Sequence, residues 1–233
     1  MKKRTLAIIS IGQTPCVRDH DDMLTRLPED IEIRQYGALD DLTPDVVLRD
    51  YAPKEGDEVL VSGMRGGLRV RLAGHMIVPL LQQRIYEAEK DGVDAILLQC
   101  TGEFPHFEHH VPLILPQQIL NTTAAQLADG GRVAVILPDP DQVEDGIRRW
   151  KAAGVDPIVV SSYPAMDHID HLREVAASLK NSGALFVCFD CMGFTQQMKT
   201  VVEQESGLPV LQPRTLVCAV AAELLSTLER TCP

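Results

Sequence analysis

Two stretches of the chain end an apolar run on a cysteine, GVDAILLQCTGEF at Cys100 and NSGALFVCFDCMGF at Cys191. Each continues as Cys-x-Gly, reading Cys100-Thr101-Gly102 and Cys191-Met192-Gly193, ahead of a segment able to start a helix. That is the pattern of a buried parallel strand whose carboxyl end opens towards a ligand. Two thiols at equivalent strand ends, facing one another across a cleft, can act on a single carbon. One thiolate removes a proton while the other thiol delivers one to the opposite face. Such two-sided proton transfer interconverts or isomerises a substrate without a cofactor.

A free thiol titrates near about 8.5, and cationic neighbours or helix N-termini lower that value. Gly102 and Gly193 leave backbone N–H groups free to approach an anion. The same donors are expected to favour a thiolate and to hold a substrate carboxylate as enolate-like charge develops. Gln13 and Thr14 follow the first apolar run and are expected to reach the same cleft, with Thr101, Gly102, Met192 and Gly193 as the remaining substrate-binding positions. Asp190 can orient the neighbouring thiol, although a carboxylate there also opposes its ionisation. Tyr163-Pro164 is a second-lobe loop able to line the cleft, and Arg65 reads as a solvated hairpin-tip residue.

Other uses of these residue types fit the sequence less well. Six cysteines, without an export signal, argue for thiols rather than a disulfide framework. Cys188-x-x-Cys191 has metal or redox spacing, but it ends a strand instead of opening a helix, and no second Cys/His pair with zinc spacing follows it. His106, His109 and His110 lie on one polar loop and read as ordinary solvated histidines. No metal is expected. Cys188, Cys218 and Cys232 read as small core residues, whereas Cys16 stands near the opening of the presumed cleft.

The elements that must position these thiols alternate between strand and helix signals, which predicts an α/β fold with mainly parallel sheets. Strands are expected over 6–11, 31–36, 95–99, 132–137, 158–161, 184–190 and 210–211, and helices over 17–27, 77–90, 117–127, 142–153, 167–180, after Gly193, and 215–228. Glu58–Ser62 and Leu68–Leu72 flank Met64-Arg65-Gly66-Gly67, a hairpin signal. RTLAIISIGQTP and GRVAVILPDPDQ both look like lobe openings, so the chain divides into two pseudo-symmetric lobes. Residues 1–115 form a first lobe carrying the hairpin near 58–72, residues 116–212 a second lobe, and residues 213–233 a C-terminal helix expected to pack back on the first.

Composition fits that plan. The chain of 233 residues is 45% hydrophobic but only 4% aromatic, which favours aliphatic strands packed on Ala/Leu helices. A net charge of −11 with no basic run is the wrong electrostatic footprint for a nucleic-acid binder. The N-terminal apolar run stops at Gly12-Gln13-Thr14-Pro15, too soon for an export signal or a membrane span. It reads as the first strand of a cytoplasmic protein. A small-molecule carboxylate is the expected partner; self-association as a homodimer is allowed without being required.

IGQTP, Tyr51-Ala52-Pro53, VSGMRGGLRV, ILLQCTGEFP, the Pro116 segment, Trp150-Lys151, FDCMGFT and LQPRTL with AAELL together resemble the AroM family over essentially the whole length. That resemblance implies a context, coregulation with aromatic biosynthesis, and no reaction. More remotely, the two Cys-bearing strands are similar to the aspartate/glutamate racemase superfamily, which includes hydantoin racemases, maleate isomerases and arylmalonate decarboxylases. This implies a racemase-like fold, no cofactor, and Cys100 and Cys191 as catalytic acid and base. The superfamily carries Cys-Asn-Thr-like and Gly-Cys-Thr-like turns where this chain has Thr101 and Met192, a departure that points away from amino-acid substrates. AroM proteins tend to follow Thr-Pro with Arg; here Cys16 stands in that place, and Arg18, two positions on, is the expected holder of a carboxylate if backbone amides alone do not hold it. Two other functions stay open: a noncatalytic carboxylate sensor, and a decarboxylase or isomerase using one of the two cysteines.

Overall fold

The computed structural model describes residues 3–15 and 21–226. In chain order the first half contains β1 (Thr5–Ser10), α1 (Asp21–Leu24), β2 (Glu32–Gly37), α2 (Pro44–Asp50), β3 (Val59–Gly63), β4 (Arg69–Ala73), α3 (Gly74–Lys90), β5 (Ala95–Leu98) and β6 (Leu113–Ile114). The second half contains α4 (Pro116–Ala128), β7 (Arg132–Leu137), α5 (Val143–Ala152), β8 (Asp156–Ser161), α6 (Ile169–Ser178), β9 (Ala184–Phe189), α7 (Gln196–Ser206), β10 (Val210–Leu211) and α8 (Pro213–Leu225).

Two four-stranded parallel sheets result, one ordered β2-β1-β5-β6 and the other β10-β9-β7-β8. Reversing the second order matches it to the first. β7 then answers to β1, β9 to β5, β8 to β2 and β10 to β6. The cysteine-bearing strands β5 and β9 are therefore equivalent, and each lies beside the opening strand of its half. The antiparallel pair β3–β4 has no counterpart and forms the hairpin insertion.

Burial on both faces explains the unbroken apolar strands. Ala7, Ile9, Ile96 and Leu98 point to a core shared with Ile77, Leu81 and Ile85 of α3 and with Leu60 and Leu72 of the hairpin. Leu6, Ile8, Ala95 and Leu97 point the other way and are covered by Val217, Cys218, Ala221 and Leu225 of α8. In the second half, Ala134, Ile136, Val187 and Phe189 meet α6 and α7, while Val133, Val135 and Leu137 meet Leu120, Ala124 and Ala128 of α4. The helix that follows the last strand of each sheet packs on the other sheet: α4 follows β6 but packs on β7, and α8 follows β10 but packs on β5.

Several expectations shift in detail. The helix expected over 17–27 appears as the single turn α1, while residues 16–20 lie outside the described residues. The seven-residue α2 was not expected. It begins with Pro44 at the first helical position, where a missing N–H costs nothing, and buries only Val47, too little to leave an apolar period. The two-residue β6 was not expected either, because two positions cannot show alternation. Pro116 and Pro213 open α4 and α8 in the same way, slightly earlier than expected. No helix of the described residues is long and apolar enough to cross a membrane.

Candidate active site

The carboxyl ends of β1, β5 and β9, the hairpin and the start of α5 enclose a cavity of about 980 Å³. Cys100 and Cys191 both line it, together with Thr101, Gly102, Met192 and Gly193. Their local geometry is the same. The Gly102 N–H donates to Cys100 Sγ at 3.3 Å, and the Gly193 N–H donates to Cys191 Sγ at 3.3 Å. Each Cys-x-Gly turn therefore folds back on its own sulfur. Cys188 and Cys218 are wholly buried among core side chains.

The surroundings of the two thiols differ. Cys100 keeps some exposed surface, yet burial pushes its thiol up to about 12, against the opposing hydrogen bond from Gly102 and with the negative charges of Cys191, Glu58 and Asp190 adding to the rise. The Gly102 N–H lowers this thiol as expected, but one N–H bond does not repay desolvation, and the net shift is upward. A thiol so raised is suited to giving a proton.

Asp190, beside Cys191, is 2% exposed and heavily partnered. Trp150 Nε1 donates to its Oδ2 at 2.8 Å and Arg149 Nη2 at 3.2 Å, both from α5. In the amide orientation that satisfies both its ends, Gln117 on α4 donates to Asp190 Oδ1 at 3.1 Å and to the Thr101 carbonyl, and accepts from Arg149 Nη1 at 3.2 Å. One buried amide thereby joins the turn after Cys100 to the carboxylate before Cys191. Desolvation pulls the Arg149 pKa down, but Asp190 and Asp145 outweigh it and the net shift is upward, so the guanidinium stays charged. A smaller cavity of about 330 Å³ lies on the Gln117 side of Cys100. Sequence reasoning singled out neither Gln117 nor Arg149. The one available signal was the repeated opening, Pro116-Gln117 and Pro213-Arg214, after the last strand of each half.

A family profile described as AroM protein matches residues 6–225. The chain belongs to the AroM family. No curated protein matches it. Among solved structures, this AroM protein is similar to Picrophilus torridus aspartate racemase, at 14% identity with a TM-score of 0.56, covering 94% of this chain and 93% of that one. It is also similar to unliganded arylmalonate decarboxylase, at 14% identity and TM-score 0.62 over 95% and 92% of the two chains. The maleate isomerase Iso from Pseudomonas putida S16, solved with maleate, matches at 12% identity and TM-score 0.59 over 95% and 91%. At these identities the likeness shows a shared racemase-type fold.

The remaining expected site residues of this AroM protein divide. Gln13 lines the cavity, but its amide is committed to backbone: Nε2 donates to the carbonyls of Leu39 at 2.9 Å and Leu42 at 2.8 Å, and Oε1 accepts from the Arg65 N–H at 2.9 Å. It braces the hairpin from the cavity wall. Thr14 is tied to Asp40, its hydroxyl donating to Oδ2 at 2.7 Å and its N–H to Oδ1 at 2.7 Å. Arg18 and Cys16 lie outside the described residues. Arg65, read as solvated, instead donates to the Thr14 carbonyl at 2.6 Å and pairs with Asp40 at 2.8 Å while half exposed. Tyr163 carries the Arg69 guanidinium 3.3 Å over its ring, linking the hairpin to the second lobe. Among the described residues no group of three or more His, Cys, Asp or Glu side chains could hold a metal ion, and His110 rests 3.1 Å from Glu89.

Proposed function

We propose that this AroM protein is a cofactor-independent enzyme of racemase or isomerase type, in which Cys100 and Cys191 move protons on a carbon next to a carboxylate. The observation that carries the reading is the pair of equivalent turns, each with its Gly N–H on the thiol sulfur, opening on one cavity. Cys100, held as a thiol, is the donor in the ligand-free form. Cys191 as thiolate takes the proton from carbon, the electron pair passes into an enolate-like intermediate, and Cys100 gives its proton to the opposite face. The reverse direction exchanges the roles. Backbone donors of the two turns are suited to the enolate charge. The aspartate racemase and maleate isomerase of the same fold make proton transfer and isomerisation the nearest precedents.

The raised Cys100 thiol also favours a one-thiol variant, in which it protonates the carbanion left by loss of CO2; the arylmalonate decarboxylase of the same fold is the precedent. Incubation of candidate acids in deuterated solvent separates the readings. Two-thiol transfer is expected to exchange the carbon-bound hydrogen of intact acid, and Cys100→Ser and Cys191→Ser each to cut that exchange by about 10²-fold or more while binding persists. Exchange surviving in either variant removes the acid–base pair. Release of CO2 in place of exchange moves the conclusion to decarboxylation, and binding without either reaction makes the protein a sensor.

A further inference from the structure

We infer that Gln117 is a positioning residue that fixes the separation of the two thiols, by tying the turn after Cys100 to the carboxylate before Cys191; this rests on the reading above in which both cysteines serve one carbon. Such a reaction needs each sulfur within about 3–3.5 Å of its reacting partner, and a misplacement of about 1 Å can cost about 10²-fold in rate. The two cysteine strands, β5 and β9, belong to different sheets, so strand pairing does not set the distance between their ends. A group that touches both ends has to set it.

α4 carries that group. The helix follows β6 of the first sheet, packs on β7 of the second, and presents Gln117 directly after the proline that opens it. A side-chain amide has two donor hydrogens and two acceptor lone pairs. In the orientation that satisfies both its ends, Gln117 uses them all. Its nitrogen donates to the Thr101 carbonyl and to Asp190 Oδ1 at 3.1 Å, and its oxygen accepts from Arg149 Nη1 at 3.2 Å and from Asn121 Nδ2 at 2.7 Å. The residue is 5% exposed, so a bond lost here is not replaced by solvent. An ionised carboxylate of the same length cannot donate to a carbonyl and to Asp190, and an apolar side chain makes none of these bonds.

The two ends of this tie differ in stiffness. At the Cys191 end, Asp190 is pinned by Trp150 Nε1 at 2.8 Å and Arg149 Nη2 at 3.2 Å, and Arg149 is itself held by Asp145 at 2.9 Å. At the Cys100 end, the turn leans on the hairpin, since a Cβ on Gly102 would stand 2.9 Å from Leu60 Cδ2. Towards α4 the same turn borders the cavity of about 330 Å³, and Gln117 is part of that cavity's wall. Without the amide, the Thr101–Gly102 turn loses its link to Asp190 and has open space in which to shift. The separation of the two sulfurs is then no longer held at one value.

Graded cross-linking of the full chain reads that separation without a substrate. Bis-methanethiosulfonates with spacers from methylene to hexylene are applied to the native protein, and the Cys100–Cys191 bridge is quantified by mass spectrometry. The unmodified sequence is expected to favour one spacer. Gln117→Met, which keeps the side-chain length and loses the hydrogen bonds, is expected to lower the yield at that spacer about tenfold or more and to flatten the dependence on length. Gln117→Glu is expected to do the same, because it sets a carboxylate against Asp190. Adding Asp190→Asn to it restores a bond across the junction and leaves Arg149 a carboxylate, so part of the yield at the favoured spacer is expected to return. A role confined to stability gives no such recovery. Should Gln117→Met not fold, Gln117→Asn, a methylene too short to reach both partners, carries the test. Yields within about twofold of the unmodified sequence at every spacer, or no recovery on adding Asp190→Asn, overturn the inference and leave the two-thiol reading standing. Absence of a Cys100–Cys191 bridge at every spacer in the unmodified sequence overturns both.

Discussion

Cys100 and Cys191 sit at equivalent positions in unequal surroundings, and the inequality has a measurable sign. Because folding raises the Cys100 thiol to about 12, the folded chain keeps a proton that the unfolded chain loses near about 8.5. Its contribution to stability is complete below about pH 8.5 and is lost as pH climbs towards 12. The alkylation rate of Cys100 is accordingly expected to keep rising with pH well past the range where a free thiol levels off. A profile centred near 8.5 would show that the sulfur is solvated. Asp190→Asn removes one of the charges that raise Cys100, so its profile is expected to move to lower pH. The same change is expected to cost stability, since buried Arg149 keeps only Asp145 as a carboxylate partner. The thiols themselves were legible in sequence because each ends an apolar run before Cys-x-Gly. The desolvation at Cys100 was not, because it comes from a core to which the hairpin brings Leu60 and Met64 from far away in sequence.

The hairpin is the element that turns an open cleft into a cavity. Its apolar face is buried in the first core, and its contacts to the second half are polar and mostly exposed. Arg71 pairs with Asp141 at 2.7 Å, Arg69 stacks on Tyr163, and Gln142 Nε2 donates to the Val59 carbonyl at 2.8 Å. Exposed pairs of this kind contribute about 0.2–1 kcal/mol each, so an Arg69→Ala/Arg71→Ala chain is expected to fold with nearly unchanged stability. Amide hydrogen exchange of β3 and β4 should nevertheless rise in that variant; unchanged exchange would mean that Gln142 and the hairpin's apolar face hold it alone. Gly12 matters more. A Cβ there would stand 2.4 Å from the Gly63 carbonyl, so Gly12→Ala is expected to displace the hairpin, accelerating its exchange beyond the double variant. The hairpin's existence was written in Gly66-Gly67 between two strand-like runs. Its bracing by Gln13 and Arg65 was not, because those side chains bond backbone carbonyls and N–H groups far away in sequence.

At the scale of the molecule, the helix that follows each sheet's last strand packs on the other sheet, α4 on β7 and α8 on β5. The halves therefore share cores, and urea unfolding followed by Trp150 fluorescence and by far-ultraviolet circular dichroism is expected to give one coincident transition. Separate midpoints would show that the lobes unfold independently. Lobe duplication could be read from the two similar openings and the two cysteine strands, whereas the order of strands in each sheet could not. The Gln117–Asp190–Arg149 junction could not, since it forms only when α4 crosses to the second sheet. The central claim is that the two thiols serve one ligand in one cavity. It is tested most directly by treating the native protein with a short bifunctional thiol reagent and mapping the product by mass spectrometry. A single intramolecular bridge between Cys100 and Cys191, suppressed by a bound carboxylate, is the expected result. Separate single modifications of the two thiols, or a bridge from either to another cysteine, would contradict it.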